Sequence, residues 1–140
     1  MKICFFGGTF NPVHNGHIKL LENAKEQFDF DKIIVVPTNI PPHKEVIFSV
    51  SDEDRLNMCR LAFDNIAEVS DYEITQDNIS YTINTMRYFK SVYPDDEFYF
   101  LMGSDMLLMF EKWKDYKELL SIISIIVASR EEDELSALEI

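Results

Sequence analysis

Two histidines near the N-terminus have the residue type and spacing that could do chemistry. His14 and His17 lie three positions apart in the stretch GGTFNPVHNGH, residues 7–17. At a helix start this spacing places both imidazoles on one face, where they can converge on one group. Beside a bound phosphate they would indicate phosphoryl or nucleotidyl transfer. The same pair alone is also compatible with a metal site or with a plain helix surface.

The residues around the histidines predict a cradle for an anion. An apolar run at residues 3–6 comes before Gly7 and Gly8, and a helical pattern at residues 18–28 comes after the histidines. A strand that passes through a glycine-rich turn into a helix start directs backbone N–H groups at an anion. Because Gly7 and Gly8 lack a Cβ, we expect the backbone to turn sharply there and to approach the ligand.

The two cysteines do not favour a zinc site. Cys4 and Cys59 lie on apolar stretches and form no Cys-x-x-Cys pattern. We therefore expect both to be small, reduced core residues, and we predict no protein-held metal.

The pattern of apolar runs predicts the elements that position the histidines. Strand-like runs alternate with longer segments of helical period, which is typical of a parallel sheet covered by helices. Strands are predicted at residues 2–6, 32–37, 68–74, 97–102 and 122–128, and helices at 16–28, 52–65, 81–92 and 106–120, the last broken near Trp113. We expect an α/β fold, a three-layer sandwich with a five-stranded parallel sheet, in one domain of residues 1–140.

Composition limits the class of partner. The 140 residues carry 25 acidic and 13 basic side chains, a net charge of −12, which opposes binding to nucleic acid. A small anionic nucleotide stays compatible, because local N–H groups and cations can reverse the field. No apolar run is long enough to span a membrane, and the N-terminal run is too short for a signal peptide. We expect a cytoplasmic protein.

Polar residues follow several predicted strands, where ligands of open α/β sheets bind. His43 and Lys44 lie in a proline-rich loop after the second strand, either as phosphate ligands or as parts of a solvated connection. Asp105 follows Gly103 after the fourth strand, where it could cap a helix. Ser51 and Ser80 are expected to cap the second and third helices. Arg55 is expected to form a surface ion pair, with the role of a phosphate ligand as the alternative.

The stretch GGTFNPVHNGH resembles the signature of the HxGH nucleotidyltransferase superfamily, and specifically of the nicotinate-nucleotide adenylyltransferases, which have a Rossmann-like fold. The resemblance implies that His14 and His17 are catalytic and contact the triphosphate. It also implies that ATP is bound by Gly7, Gly8, Thr9, Phe10, His14, His17, Gly103 and Asp105, with the Asp105 carboxylate near a ribose hydroxyl.

Further motifs are similar to the acceptor half of the same family. Residues 73–82 match the pattern E-x-x-R-x-G-x-S-Y-T except at Gln76 and Asn78. The resemblance implies that Trp113 stacks on the nicotinate ring and that backbone amides near Thr82 and Lys114 receive its carboxylate. The implied acceptor-binding residues are Asn39, His43, Lys44, Ser80, Tyr81, Thr82, Trp113, Lys114 and Arg130.

The activity that the resemblance implies is adenylyl transfer from ATP to nicotinate mononucleotide, which forms deamido-NAD and pyrophosphate. Mg²⁺ would accompany ATP without a dedicated protein site, and a homo-oligomer is left open. The alternatives are the same chemistry on nicotinamide mononucleotide or phosphopantetheine, or a nucleotide-binding domain with little or no catalysis. The last alternative follows because the family's late Ser-x-Thr-x-x-Arg segment has no counterpart before the chain ends at Ile140.

Overall fold

The computed structural model of the chain describes residues 1–8, 10, 15–38, 51–75, 81–128 and 137–139, of which residues 104, 105 and 137–139 are described by their backbone alone. These residues form one sheet with the strand order β3-β2-β1-β4-β5-β6. The strands are β1 (Lys2–Gly8), β2 (Lys32–Pro37), β3 (Glu68–Val69), β4 (Glu97–Gly103), β5 (Ile123–Ala128) and β6 (Ala137–Glu139). The helices are α1 (Asn15–Gln27), α2 (Asp52–Ala62), α3 (Thr82–Val92), α4 (Ser104–Leu108), a 3-10 helix (Phe110–Lys112) and α5 (Tyr116–Ile122).

The five strands that the sequence predicts are present, and neighbours among them pair in parallel. The five predicted parallel strands are thus confirmed, and the structure differs from the prediction in two details. A sixth strand, β6, pairs antiparallel with β5 at the edge of the sheet. β3 ends at Val69 instead of Ile74, because the Ser70 hydroxyl accepts a hydrogen bond from the Tyr72 N–H at 3.2 Å and residues 72–75 then form a turn.

Alternation of apolar residues along the strands builds the predicted three layers. Ile3 and Phe5 of β1 belong to a core cluster with buried residues of α3 and α5. Cys4 and Phe6 belong to the opposite cluster, with buried residues of α1 and α2. Both faces of the sheet are therefore covered by helices, as in other parallel sheets.

Of the N-cap residues predicted from the sequence, one is confirmed, and the structure has a different residue at the other two. Ser51 caps α2, since its hydroxyl accepts a hydrogen bond from the Asp54 N–H at 3.2 Å. The N-cap residue of α3 is Tyr81, not Ser80, and the N-cap residue of α4 is Gly103, which places Asp105 inside the first turn. The predicted break near Trp113 is confirmed, because this residue lies between the 3-10 helix and α5.

The strand order fixes where a ligand crevice must lie. From β1 the chain moves outward to β2 and β3, and then returns to place β4 on the other side of β1. Sheets of this kind bind ligands outside the carboxyl ends of the strands where the order reverses. Here that point lies between the ends of β1 and β4. Within the described residues, no helix has the length and apolar character needed to cross a bilayer.

Candidate active site

A cavity of about 410 Å³ lies at the reversal point of the sheet. Its size is within the usual range for sites that bind small molecules and cofactors. The wall combines the ends of β1, β2 and β4 with parts of α1, α3 and the segment after β3. The lining residues are Phe6, Gly7, Gly8, Phe10, His17, Leu20, Thr38, Glu73, Thr82, Phe100, Gly103, Met106 and Trp113.

Gly7 and Gly8 are needed for close packing and not for a turn. Both are strand residues of β1, and neither has a positive φ, so the predicted sharp turn at the glycines was wrong. A Cβ on Gly7 would lie 3.1 Å from Phe100 Cζ, and a Cβ on Gly8 would lie 3.2 Å from Phe10 Cζ. The backbone departs from the extended form at Phe10, whose φ is 45°.

Replacing Gly8 with alanine should lower the free energy of unfolding by about 1–3 kcal/mol, the usual cost of overpacking. The Phe10 ring, which is 1% exposed, cannot move away freely from the added methyl group. Urea unfolding measures the loss. In a double-mutant cycle with Phe10→Leu, the shorter side chain should relieve the clash and the two effects should not add. Additive effects would contradict this account of Gly8.

Phe10 holds the imidazole of His17 in the cavity wall. The Phe10 ring packs edge-on against His17, with ring centroids 4.9 Å apart, and against Phe6 at 5.5 Å and Phe63 at 5.9 Å. His17 is half-buried on the first turns of α1. Because Phe10 is fixed by the core and itself touches His17, the orientation of this histidine is set by packing.

Arg55 forms the predicted ion pair, with Asp52, but its own side chain is buried and not at the surface. Its side chain is 0% exposed, and it donates hydrogen bonds to the Thr38 carbonyl and to the Asp52 carboxylate, both at 2.7 Å. The Thr38 N–H in turn donates to the Gly8 carbonyl at 2.8 Å. Arg55 therefore ties α2 to the ends of β2 and β1, where the cavity wall begins.

Trp113 stands between the main cavity and a smaller one. Its ring packs against Phe100 at 6.0 Å and Phe110 at 5.1 Å between ring centroids. The adjoining cavity, of about 300 Å³, is lined by Tyr81, Thr82, Lys112, Trp113 and Lys114. The Lys114 ammonium lies 4.6 Å from the centre of the Tyr81 ring. Thr82 and Trp113 line both cavities, so the two cavities adjoin and form a two-part site with a shared wall.

Glu73 is a cavity residue that the sequence analysis missed. Its side chain is 5% exposed, and burial raises the pKa of this carboxyl to about 7, against the opposite effect of a hydrogen bond from Thr85. The signal available in the sequence was its place as the first residue of the E-x-x-R pattern.

The structure brings together most of the predicted site residues that it describes. Gly7, Gly8, Phe10, His17, Thr82, Gly103 and Trp113 line the main cavity, and Tyr81 and Lys114 line the adjoining one. Asp105 lies in the first turn of α4. Outside the described residues lie Thr9, His14, Asn39, His43, Lys44, Ser80 and Arg130, so their predicted roles stay predictions.

Both cysteines are core residues, as the sequence predicts. Cys4 and Cys59 are buried and form no disulfide, as expected. Burial raises the pKa of the Cys59 thiol to about 11, which keeps it an unreactive core residue. In the part of the chain that the structure describes, no three His, Cys, Asp or Glu side chains group around a point where a metal could bind.

Comparison with known proteins identifies relatives over nearly the whole chain. Residues 5–139 match the family model described as cytidylyltransferase-like. A probable nicotinate-nucleotide adenylyltransferase of Aquifex aeolicus is 45% identical over 128 residues, which cover 90% of this chain and 76% of that protein. One of Desulfatibacillum aliphaticivorans is 41% identical, with 93% of this chain and 60% of that protein covered. This chain thus spans less than two thirds of the second relative.

Solved structures support the fold. A putative nicotinate-nucleotide adenylyltransferase of Vibrio parahaemolyticus matches with a TM-score of 0.76 and 20% identity, covering 93% of this chain and 74% of that one. The nicotinic acid mononucleotide adenylyltransferase of Plasmodium falciparum, solved in complex with NaAD, has the same TM-score and identity and covers 96% and 67%. At this level of identity the similarity shows a shared fold, the Rossmann-like one expected from the sequence.

Proposed function

The chain belongs to the cytidylyltransferase-like family, among the nicotinate-nucleotide adenylyltransferases, and we propose that it transfers the adenylyl group of ATP to nicotinate mononucleotide. The products are deamido-NAD and pyrophosphate. The observation that carries this proposal is the two-part site, in which the cavity lined by Gly8 and His17 shares Thr82 and Trp113 with the cavity lined by Lys114.

The main cavity is assigned to ATP. Gly7 and Gly8 at the end of β1 let the ligand approach the backbone, and the imidazole of His17 is packed in the same wall. Fixed donors of this kind stabilise charge that develops on a transferring phosphoryl group. With a net charge of −12, the protein as a whole repels anions, so local donors must supply the attraction.

The adjoining cavity is assigned to the acceptor ring. Trp113 offers an aromatic face that the ring of the mononucleotide can stack on. The first turn of α3, at Thr82, presents backbone N–H groups that are not used inside the helix, and Lys114 adds a positive charge nearby. Both features favour a ring that carries a carboxylate.

The reaction needs no general base. The acceptor phosphate, with a second pKa of about 6, is largely ionised at neutral pH and attacks as it stands. Its oxygen forms a bond to the α-phosphorus of ATP, while the bond from that phosphorus to the bridging oxygen breaks and pyrophosphate leaves. The two-part site contributes by aligning the reactants, and His17 by neutralising charge on the phosphates.

Mg²⁺ is assigned to the substrate and not to the protein. We infer that the ion arrives bound to the triphosphate, because Mg²⁺ is usually held by substrate phosphates with only one or two protein ligands. When bound, Mg²⁺ withdraws charge from the phosphate oxygens and so assists departure of pyrophosphate.

The test is acceptor-dependent release of pyrophosphate. The purified chain is incubated with ATP, Mg²⁺ and either nicotinate mononucleotide, nicotinamide mononucleotide or phosphopantetheine, and a sample without acceptor serves as the control. We expect the fastest release with nicotinate mononucleotide. Release with none of the three would overturn the enzymatic proposal. Binding of the mononucleotide by calorimetry in that case would identify a nucleotide-binding domain without catalysis.

Replacing Trp113 with alanine should raise the KM for the acceptor by roughly 10- to 100-fold, because stacking of a base on an aromatic ring contributes about 1–3 kcal/mol. The KM for ATP should change much less. Trp113→Phe is the matched control, since it keeps an aromatic face and the contact with Phe110 and Phe100. Equal effects of the two variants on the acceptor KM would contradict a stacking role.

A further inference from the structure

Glu73 is a buried carboxyl that the reaction described above does not use. It lines the main cavity together with Thr82 and Trp113, the two residues that are shared with the acceptor cavity. Only 5% of its surface is exposed. Burying a carboxyl costs free energy unless it is hydrogen-bonded or stays protonated, so such a group in a ligand cavity is a candidate for function.

Thr85 connects Glu73 to the start of α3. Thr85 is 1% exposed, shares a hydrogen bond with the Glu73 carboxyl, and has its hydroxyl 3.4 Å from the Tyr81 carbonyl. A hydroxyl has one proton to donate. When Glu73 is ionised, Thr85 donates that proton to the carboxylate. When Glu73 is protonated, Thr85 is free to donate to Tyr81 and to accept from Glu73.

We propose that Glu73 is a specificity-determining residue, and that the site favours an acceptor ring bearing a carboxylate only while Glu73 is protonated. The inference rests on the function proposed above. Two carboxylates in adjoining parts of one low-dielectric site repel each other. An ionised Glu73 therefore opposes the nicotinate carboxylate, which approaches the first turn of α3 at Thr82. It has little effect on a nicotinamide ring, whose amide is uncharged.

The pKa of Glu73 sets the pH range over which affinity for the acceptor should change. Burial raises the pKa of Glu73 to about 7, so the carboxyl is protonated below neutral pH and loses its proton above it. Affinity for the acidic ring is then full at low pH and falls as pH rises through 7.

The effect of Glu73 on binding must be distinguished from the effects of the other charged groups. They are His17 of α1 in the same cavity, Lys112 and Lys114 in the adjoining one, Arg55 of α2 at the Thr38 carbonyl, and Arg87 of α3, which pairs with Glu118 of α5. Both mononucleotides carry the same phosphate and meet the same charged side chains. Comparing the two mononucleotides therefore cancels their contribution.

The experiment measures the Kd of nicotinate mononucleotide and of nicotinamide mononucleotide by calorimetry from about pH 6 to about pH 8.5. In the wild-type protein, the preference for nicotinate mononucleotide should fall at least about tenfold over this range. In Glu73→Gln, which keeps the size and an N–H donor without the charge, the preference should stay constant. Asp71→Asn, an exposed change two residues away, is the matched control and should behave as wild type.

A second measurement needs no variant. At about pH 8, binding of nicotinate mononucleotide should take up nearly one more proton than binding of nicotinamide mononucleotide, seen as a difference between buffers of unequal ionisation enthalpy. Equal proton uptake for the two ligands, or the same pH profile in wild type and Glu73→Gln, overturns the role of Glu73. Absence of binding by either mononucleotide at every pH overturns the proposed function instead.

Discussion

Replacing His17 with alanine should lower kcat for adenylyl transfer by about 100- to 1000-fold, the usual effect of removing one fixed donor from a developing oxyanion. The imidazole lines the cavity assigned to ATP, and its ring is held edge-on by Phe10 at 4.9 Å. A donor held in this way needs no rearrangement as charge moves onto pyrophosphate. The KM for the acceptor should change little, because the acceptor ring is bound at the other end of the site.

Lys19→Ala is the matched control for His17. Lys19 is on the same helix, two residues further on, and its side chain is exposed, so this change should leave kcat as it is. Steady-state release of pyrophosphate measures both variants, and thermal unfolding checks that both fold. A His17→Ala protein that folds and turns over at the wild-type rate would show that this histidine does not stabilise the transition state.

The part of the fold that could be predicted is the part that depends on periodicity. In β1, Ile3 and Phe5 face one layer of helices, and Cys4 and Phe6 face the other. The strand is therefore apolar throughout, and the sequence alone predicts a strand that is buried on both faces. β3 and β6 have two and three residues, which is too short for any period to show. Their limits depend on tertiary pairing with β2 and β5, which the local sequence does not encode.

The candidate site also contains residues that could be predicted from the sequence and residues that could not. His17, Gly8 and Trp113 were identified because a resemblance supplied their roles, and the structure places all three in the lining of one cavity. The burial of Arg55 and Glu73 was not predicted, because charged residues are usually solvated. What makes them exceptions is a partner from a distant part of the chain, the Thr38 carbonyl for Arg55 and the Thr85 hydroxyl for Glu73.

Replacing Arg55 with methionine should lower the free energy of unfolding by about 2–3 kcal/mol, because two hydrogen bonds from a charged donor are lost at once. Methionine keeps most of the aliphatic volume, so the loss reports the guanidinium and not a cavity. The Thr38 carbonyl loses the partner at 2.7 Å that ties it to α2, whereas Asp52, which is 52% exposed, is solvated by water. For a chain of this length the melting temperature should fall by roughly 4–12 °C.

Arg60→Met, an exposed change on the same helix, is the control and should shift the melting temperature by less than about 2 °C. Because Thr38 also donates to the Gly8 carbonyl at 2.8 Å, loss of Arg55 should loosen the cavity wall as well as the fold. We therefore expect a higher KM for ATP in Arg55→Met, measured well below its melting temperature. A destabilised protein with an unchanged KM would show that Arg55 supports the fold alone and that the wall at Gly8 is held by the sheet.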